Sequence, residues 1–207
     1  MIKVIFWDFD GVLMDSNVLR DLGFERVLSV FPKDQVDQLL TFHRANGGLS
    51  RYVKFRYFFE EIRNQSITEA EILVWAGRFS LIMKELLVNP DLLIQETLNF
   101  VKNNQHKYAM HITSGSDQEE LRFLCKALNI DHLFISIHGS PKPKKVWVKE
   151  LIEMYSYKKK ECVLIGDSMN DWEAAEENKI GFLGYNNEDF QYLKIPYLSD
   201  FDKFYFK

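Results

Sequence analysis

Two hydrophobic periods alternate along the chain. The run from Lys3 to Trp7 is short and continuously apolar, which predicts a strand buried on both faces. After Ser16 the period lengthens. Leu19, Leu22, Val27, Leu28 and Phe31 recur at helical spacing up to Pro32, and Val36, Leu39 and Leu40 carry a second helix toward Asn46-Gly47-Gly48. Tyr52, Phe55, Phe59 and Ile62 mark a third. Thr68-Glu69-Ala70-Glu71 has the form in which hydroxyl and carboxylate cap each other's backbone donors. It opens a long helix with Ile72, Trp75, Ala76, Phe79, Ile82, Met83 and Leu86 on one face. Residues 15–88 thus read as helical, with no strand.

Asn89-Pro90 resets the pattern, with Pro90 suited to the first turn of another helix. Strands are then expected at Tyr108–Ile112, Phe134–Ile137, Cys162–Ile165 and Ile180–Leu183. Between them lie helices holding Leu121, Leu124, Cys125 and Leu128, then Val146, Leu151 and Tyr155, then Asp171 to Glu177. The first of these can be capped by Ser116-Asp117-Gln118-Glu119. Alternating strands and helices imply an α/β fold with a parallel sheet wrapped by helices. The expected organisation is a core of residues 1–14 and 89–207 with 15–88 inserted after the first strand. The closing FDKFYFK, aromatic and charged, reads as a cover for a sheet edge.

Composition narrows the class. Apolar residues make up 46% of 207, enough for a sizeable core. With 26 Lys and Arg against 30 Asp and Glu, the net charge of -4 leaves no basic excess for nucleic acid. The 17 phenylalanines fit an aromatic core rather than a base-stacking surface. No window approaches the roughly 18 apolar residues of a membrane span, and MIKVIFWDFDG has no signal-peptide pattern. Cys125 and Cys162 each sit in apolar surroundings and are expected to be packed free thiols, as suits a reducing cytoplasm.

Candidate chemistry gathers where the strands end. Ligands of parallel sheets bind beyond the carboxyl ends of the strands. Asp8 and Asp10 follow the first strand, Ser114 the second, Lys142 to Lys145 the third, and Asp167 the fourth. Three carboxylates meeting there repel one another unless a cation joins them, and hard oxygen ligands with room for water suit Mg2+. A cation, a lysine, a hydroxyl and backbone N–H groups together form a trap for a phosphate dianion. In it one carboxylate can attack phosphorus, and a second, two residues on, can protonate the leaving oxygen.

FWDFDGVLMDS, ITSGS, GSPKPKK and VLIGDSMND resemble, in order, the four motifs of the haloacid dehalogenase-like hydrolases. The likeness runs from residue 2 to about residue 184. It implies a Rossmann-like core with a helical cap between the first and second motifs, as in phosphoglycolate phosphatase-like and beta-phosphoglucomutase-like members. By this resemblance Asp8 is the nucleophile and Asp10 the general acid, then the base. The Asp8 carboxylate, the Asp10 carbonyl and Asp167 hold Mg2+, and Ser114 and the Gly115 amide bind phosphate, with Thr113 a rival. Lys144 is the expected motif-three lysine, Lys142 and Lys145 being alternatives, and Asp171 supports the metal loop. Cap residues Arg44, Gly47, Gly48 and Arg51, with Lys54, are candidates for substrate specificity. The dehalogenase branch lacks an acid at the Asp10 position, so phosphoryl transfer is expected. The implied activity is Mg2+-dependent hydrolysis of a small phosphomonoester, a phosphorylated metabolite, through an aspartyl-phosphate. A phosphoglucomutase-like transferase and a catalytically silent binding module are the alternatives.

Overall fold

A computed structural model describes residues 1–201 of the chain. Six parallel strands form one sheet in the order β3-β2-β1-β4-β5-β6. They are β1 (Val4–Trp7), β2 (Ala109–Asp117), β3 (Ser136–Ser140), β4 (Cys162–Gly166), β5 (Gly181–Tyr185) and β6 (Tyr197–Leu198). In β1, at the centre, Val4 and Phe6 join the core on one face of the sheet and Ile5 and Trp7 the core on the other, as its unbroken apolar run requires.

Helices α1 (Asn17–Val27), α2 (Lys33–Ala45), α3 (Arg51–Tyr57) and α4 (Glu69–Leu87) follow β1 without an intervening strand. A single π-helical turn, Phe58–Ile62, continues α3. The capping box forms at Thr68 and Glu71, and α4 buries Ile72, Ala76, Phe79, Met83 and Leu87. The segments entering and leaving this stretch run side by side. Asp15 N donates to the Leu92 carbonyl at 2.7 Å, and Ile94 N to that of Leu13 at 3.0 Å.

Helices α5 (Gln95–Asn104), α6 (Gln118–Ala127), α7 (Lys144–Met154), α8 (Met169–Asn178) and α9 (Asp189–Tyr192) complete the described chain. Asp117 caps α6, accepting from the amides of Glu119 and Glu120. Pro90 starts a short 3-10 turn, Pro90–Leu92, rather than the next α-helix, because α5 begins only at Gln95.

Strand ends depart from the apolar pattern. β2 continues through the polar Thr113–Asp117, where pairing with β3 is irregular, and β3 lies two residues later than the apolar run, at Ser136–Ser140. Ladder hydrogen bonds do not depend on side-chain polarity, so polar residues extend both strands. β6 is a two-residue edge strand that carries no periodic signal. Both cysteines are buried and free. Phe201 packs on Trp7 and Phe100, while residues 202–207 of the expected edge cover lie outside the described residues.

Candidate active site

The carboxyl ends of β1, β2 and β4 face the stretch α1–α3 across a cavity of about 520 Å³. Its walls include Asp8, Asp10, Ser114, Gly115 and Asp167 from the strand ends. The facing wall includes Arg20, Gly47, Gly48, Arg51 and Lys54.

Asp8 sits where β1 ends, its amide bonded to the Ile165 carbonyl at 2.9 Å. Its Oδ1 accepts from Phe9 N at 2.8 Å and lies 2.9 Å from Lys144 Nζ. Lys144, the first residue of α7, is buried and also pairs with Asp171. Burial disfavours the ammonium, but Asp171 and Asp8 outweigh it and raise the Lys144 pKa. Lys142 instead pairs with Glu150 at 2.6 Å and Lys145 with Glu177 at 2.9 Å, both at the surface.

Carboxylate oxygens of Asp8, Asp167 and Asp171 lie within 4.8 Å of one another. Three carboxylates around one lysine leave an excess of negative charge. Burial and the neighbouring Asp171 and Asp167 push Asp8 well above the usual range, with Lys144 acting against them. Burial and Asp171 raise Asp167 to about 7. A divalent cation is the charge this oxygen-only set lacks, and the residues present fit one. Asp171 is the most committed of the three, accepting from Ser168 N at 3.0 Å and Ser168 Oγ at 2.7 Å in the capping box that starts α8, where Ser168 is the N-cap. Asp167 is steadied by Asn17 Nδ2 at 3.1 Å on Oδ2, and its carbonyl by Asn187 at 2.7 Å. Gly11 turns with φ +74°, and a Cβ there would fall 1.9 Å from Asp167 Oδ2.

Asp10 faces the helical side. Its Oδ1 accepts from Arg20 Nε at 2.9 Å and from the Ser16 hydroxyl, and its Oδ2 from Ser116 Oγ at 2.5 Å. Burial alone would raise its pKa, but Arg20 and these hydroxyls hold it down at about 2. Arg20 is itself shared with Glu120, a fully buried carboxylate on α6 that also takes both terminal nitrogens of Arg51, at 2.5 and 2.8 Å.

Ser114 lines the cavity, whereas Thr113 is fully buried and does not. The glycines permit close approach. A Cβ on Gly115 would lie 2.3 Å from the Gly48 carbonyl, and one on Gly48 2.6 Å from Ser168 Oγ, so the α2–α3 loop lies against the strand ends. Gly47 lines the cavity beside it, and Arg44 is exposed at the rim, bonded to Asp21 at 2.8 Å. Arg51 is buried against Glu120 and Ser80.

Ser16, Arg20, Ser116 and Glu120 were not among the sequence candidates. Arg20 lies 100 residues from Glu120 and 96 from Ser116, so no local spacing links them. The available signal was that Arg20 falls at helical spacing on the same face as Phe24 and Val27, the face the helix buries.

The family model described as haloacid dehalogenase-like hydrolase matches residues 4–185. No curated protein matches the sequence. Among solved structures, a predicted phosphoglycolate phosphatase from Haemophilus somnus 129pt is similar at 20% identity and TM-score 0.73, covering 97% of this chain and 95% of its own. CbbY from Rhodobacter sphaeroides, in complex with phosphate, is similar at 15% identity and TM-score 0.75, covering 98% of this chain and 96% of its own. The putative hydrolase YfnB from Bacillus subtilis, bound to magnesium, is similar at 15% identity and TM-score 0.66, covering 89% and 87%. At these identities the structural likeness is one of fold.

Proposed function

This chain belongs to the haloacid dehalogenase-like hydrolase family, and we propose that it is a Mg2+-dependent phosphatase of a small phosphomonoester, acting through an aspartyl-phosphate. One observation carries the reading. The Asp8 carboxylate lies on the cavity wall, 2.9 Å from Lys144 Nζ, with two more carboxylates within 4.8 Å.

Asp8, the Asp10 carbonyl and Asp167 would hold the cation, with Asp171 fixing Lys144 and the Asp167–Ser168 turn. When bound, Mg2+ supplies positive charge that offsets the repulsion between Asp8 and a phosphate dianion. An Asp8 oxygen attacks phosphorus, forming a P–O bond as the ester P–O bond breaks. Asp10 gives its proton to the departing alkoxide. Water then attacks phosphorus, Asp10 accepts its proton, and the Asp8–phosphorus bond breaks to release inorganic phosphate. Beside Arg20, Asp10 is ionised, the form that accepts a proton; for its acid role Arg20 and the hydroxyls yield as substrate enters and Asp10 takes up a proton from solvent, and the proton it later gains from the attacking water returns it to the acid form. Ser114, the Gly115 amide and Lys144 hold the phosphoryl oxygens.

Residues 15–88 act as a cap on the core of 1–14 and 89–207, hinged where Leu13–Asp15 meets Leu92–Ile94. The close approach of Gly48 to Gly115 and Ser168 closes the cap over a small metabolite and keeps larger molecules out. No described helix is long and apolar enough to cross a membrane. The two buried free thiols suit the reducing cytoplasm, where we place the protein.

A screen of phosphorylated metabolites with Mg2+, repeated with Asp8→Asn, tests the reading. Phosphate release from at least one ester, lost in Asp8→Asn and on chelation, is expected. No release from any ester, or release undiminished in Asp8→Asn, refutes it; isomerisation without release assigns the mutase instead.

A further inference from the structure

Four lysine or arginine side chains line the cavity: Arg20, Arg44, Arg51 and Lys54. Three already face carboxylates. Arg20 is shared by Asp10 and Glu120, Arg51 is held by both oxygens of Glu120, and Arg44 is bonded to Asp21. Lys54 differs. Its ammonium, 2% exposed, lies 2.7 Å from His43 Nδ1 and donates to the Gly47 carbonyl at 3.0 Å. Among the described residues no carboxylate pairs with it. Two of its three donors are used, and one remains for the cavity it lines.

The charge around Lys54 is incompletely balanced. His43 is held down to about 3 by burial and by Lys54, so its ring is neutral, with Nδ1 accepting and Nε2 turned toward Asp21 at 3.6 Å. Burial pulls Lys54 itself to about 7, with Asp10 and Asp21 opposing the fall and Arg20 and Arg51 adding to it. A buried cation without a counter-charge is costly, and a ligand anion beside it relieves that cost.

Resting on the phosphatase reading, we infer that Lys54 selects the leaving group, and that the substrate is a phosphomonoester whose alcohol carries a carboxylate. One ammonium matches one negative charge. A second phosphate, a dianion, needs further cations, and Arg51 is withdrawn by Glu120. A neutral sugar leaves the ammonium unmatched. Lys54 is thus a specificity residue and takes no part in the bond changes at phosphorus.

Matched esters test this: phosphoglycolate against 2-hydroxyethyl phosphate, and 3-phosphoglycerate against glycerol 3-phosphate, with fructose 1,6-bisphosphate as the two-phosphate arm. In the wild-type enzyme with Mg2+ below neutral pH, kcat/KM favours the carboxylate member of at least one pair about tenfold or more, the scale of one charge-assisted hydrogen bond. The preference declines as pH rises through about 7 and Lys54 loses its proton. It collapses in Lys54→Met and survives in Lys54→Arg. Absence of a preference, its persistence in Lys54→Met, or a greater preference for the bisphosphate overturns the inference. Calorimetric binding of the same pairs to the Mg2+-loaded Asp8→Asn protein reads the preference without turnover. If no ester is hydrolysed, the phosphatase reading fails alone; equal affinities within each pair remove the role of Lys54. If Lys54→Met does not fold, Lys54→Arg and the pH dependence decide by the same criteria.

Discussion

Replacing Glu120 with alanine probes the ion pairs that tie the helical stretch to the sheet. Glu120 lies on α6, fully buried, while Arg20 comes from α1 and Arg51 from α3. Alanine removes three charged hydrogen bonds and leaves two guanidinium groups in place. Arg20 keeps Asp10 and Ser116. Arg51 keeps the Ser80 hydroxyl at 2.7 Å and the Phe79 ring, whose centroid is 4.6 Å from its guanidinium carbon. Bonds to charged groups contribute about 1.5–3 kcal/mol each but do not add, since burial of the three charges opposes them. Removing one partner of a buried pair costs about 3–5 kcal/mol, and that range is expected here. It corresponds to a fall in Tm of about 6–20 °C for a chain of this length. Urea unfolding at neutral pH measures it. The double variant E120L/R51M removes charge together with its partner and should lose less than E120A. The pH dependence has a definite sign. Burial raises the Glu120 pKa, but Arg20 and Arg51 outweigh it and hold it below its ordinary 4.5. Its contribution is therefore present above about pH 4.5 and is lost as pH falls through the lower folded value. E120A within about 0.5 kcal/mol of wild type, the scale of a surface change, would show that these ion pairs do not stabilise the fold.

Two further changes separate the site's parts. Lys144→Ala should reduce kcat by about a hundredfold or more, the scale of losing one charge-stabilising donor, while Lys142→Ala and Lys145→Ala stay near wild type in the same phosphate-release assay. Equal losses in all three would remove Lys144 from the mechanism. Gly11→Ala forces a side chain into a left-handed turn 1.9 Å from Asp167 Oδ2. The Mg2+ concentration for half-maximal activity should rise about 10–100-fold, and an unchanged metal titration would show that Asp167 does not hold the cation.

Read alone, the sequence foretells the alternation of strands and helices, the helical run before Asn89 and the four polar clusters at strand ends. These are local matters, set by apolar period and by caps such as Thr68 and Glu71, which need no distant partner. It did not determine strand ends, because β2 and β3 continue through residues whose ladder bonds are indifferent to side-chain polarity. Residue type alone does not separate Lys144 from Lys142 and Lys145; the motif resemblance favours Lys144, and the start of α7 turns that lysine inward to Asp8. Only the packed fold brings Arg51 to Glu120 and leaves Lys54 without a paired carboxylate among the described residues. Charge pairing depends on distance in space, and residues brought together from 69 and 100 positions apart leave no mark on the spacing of either segment.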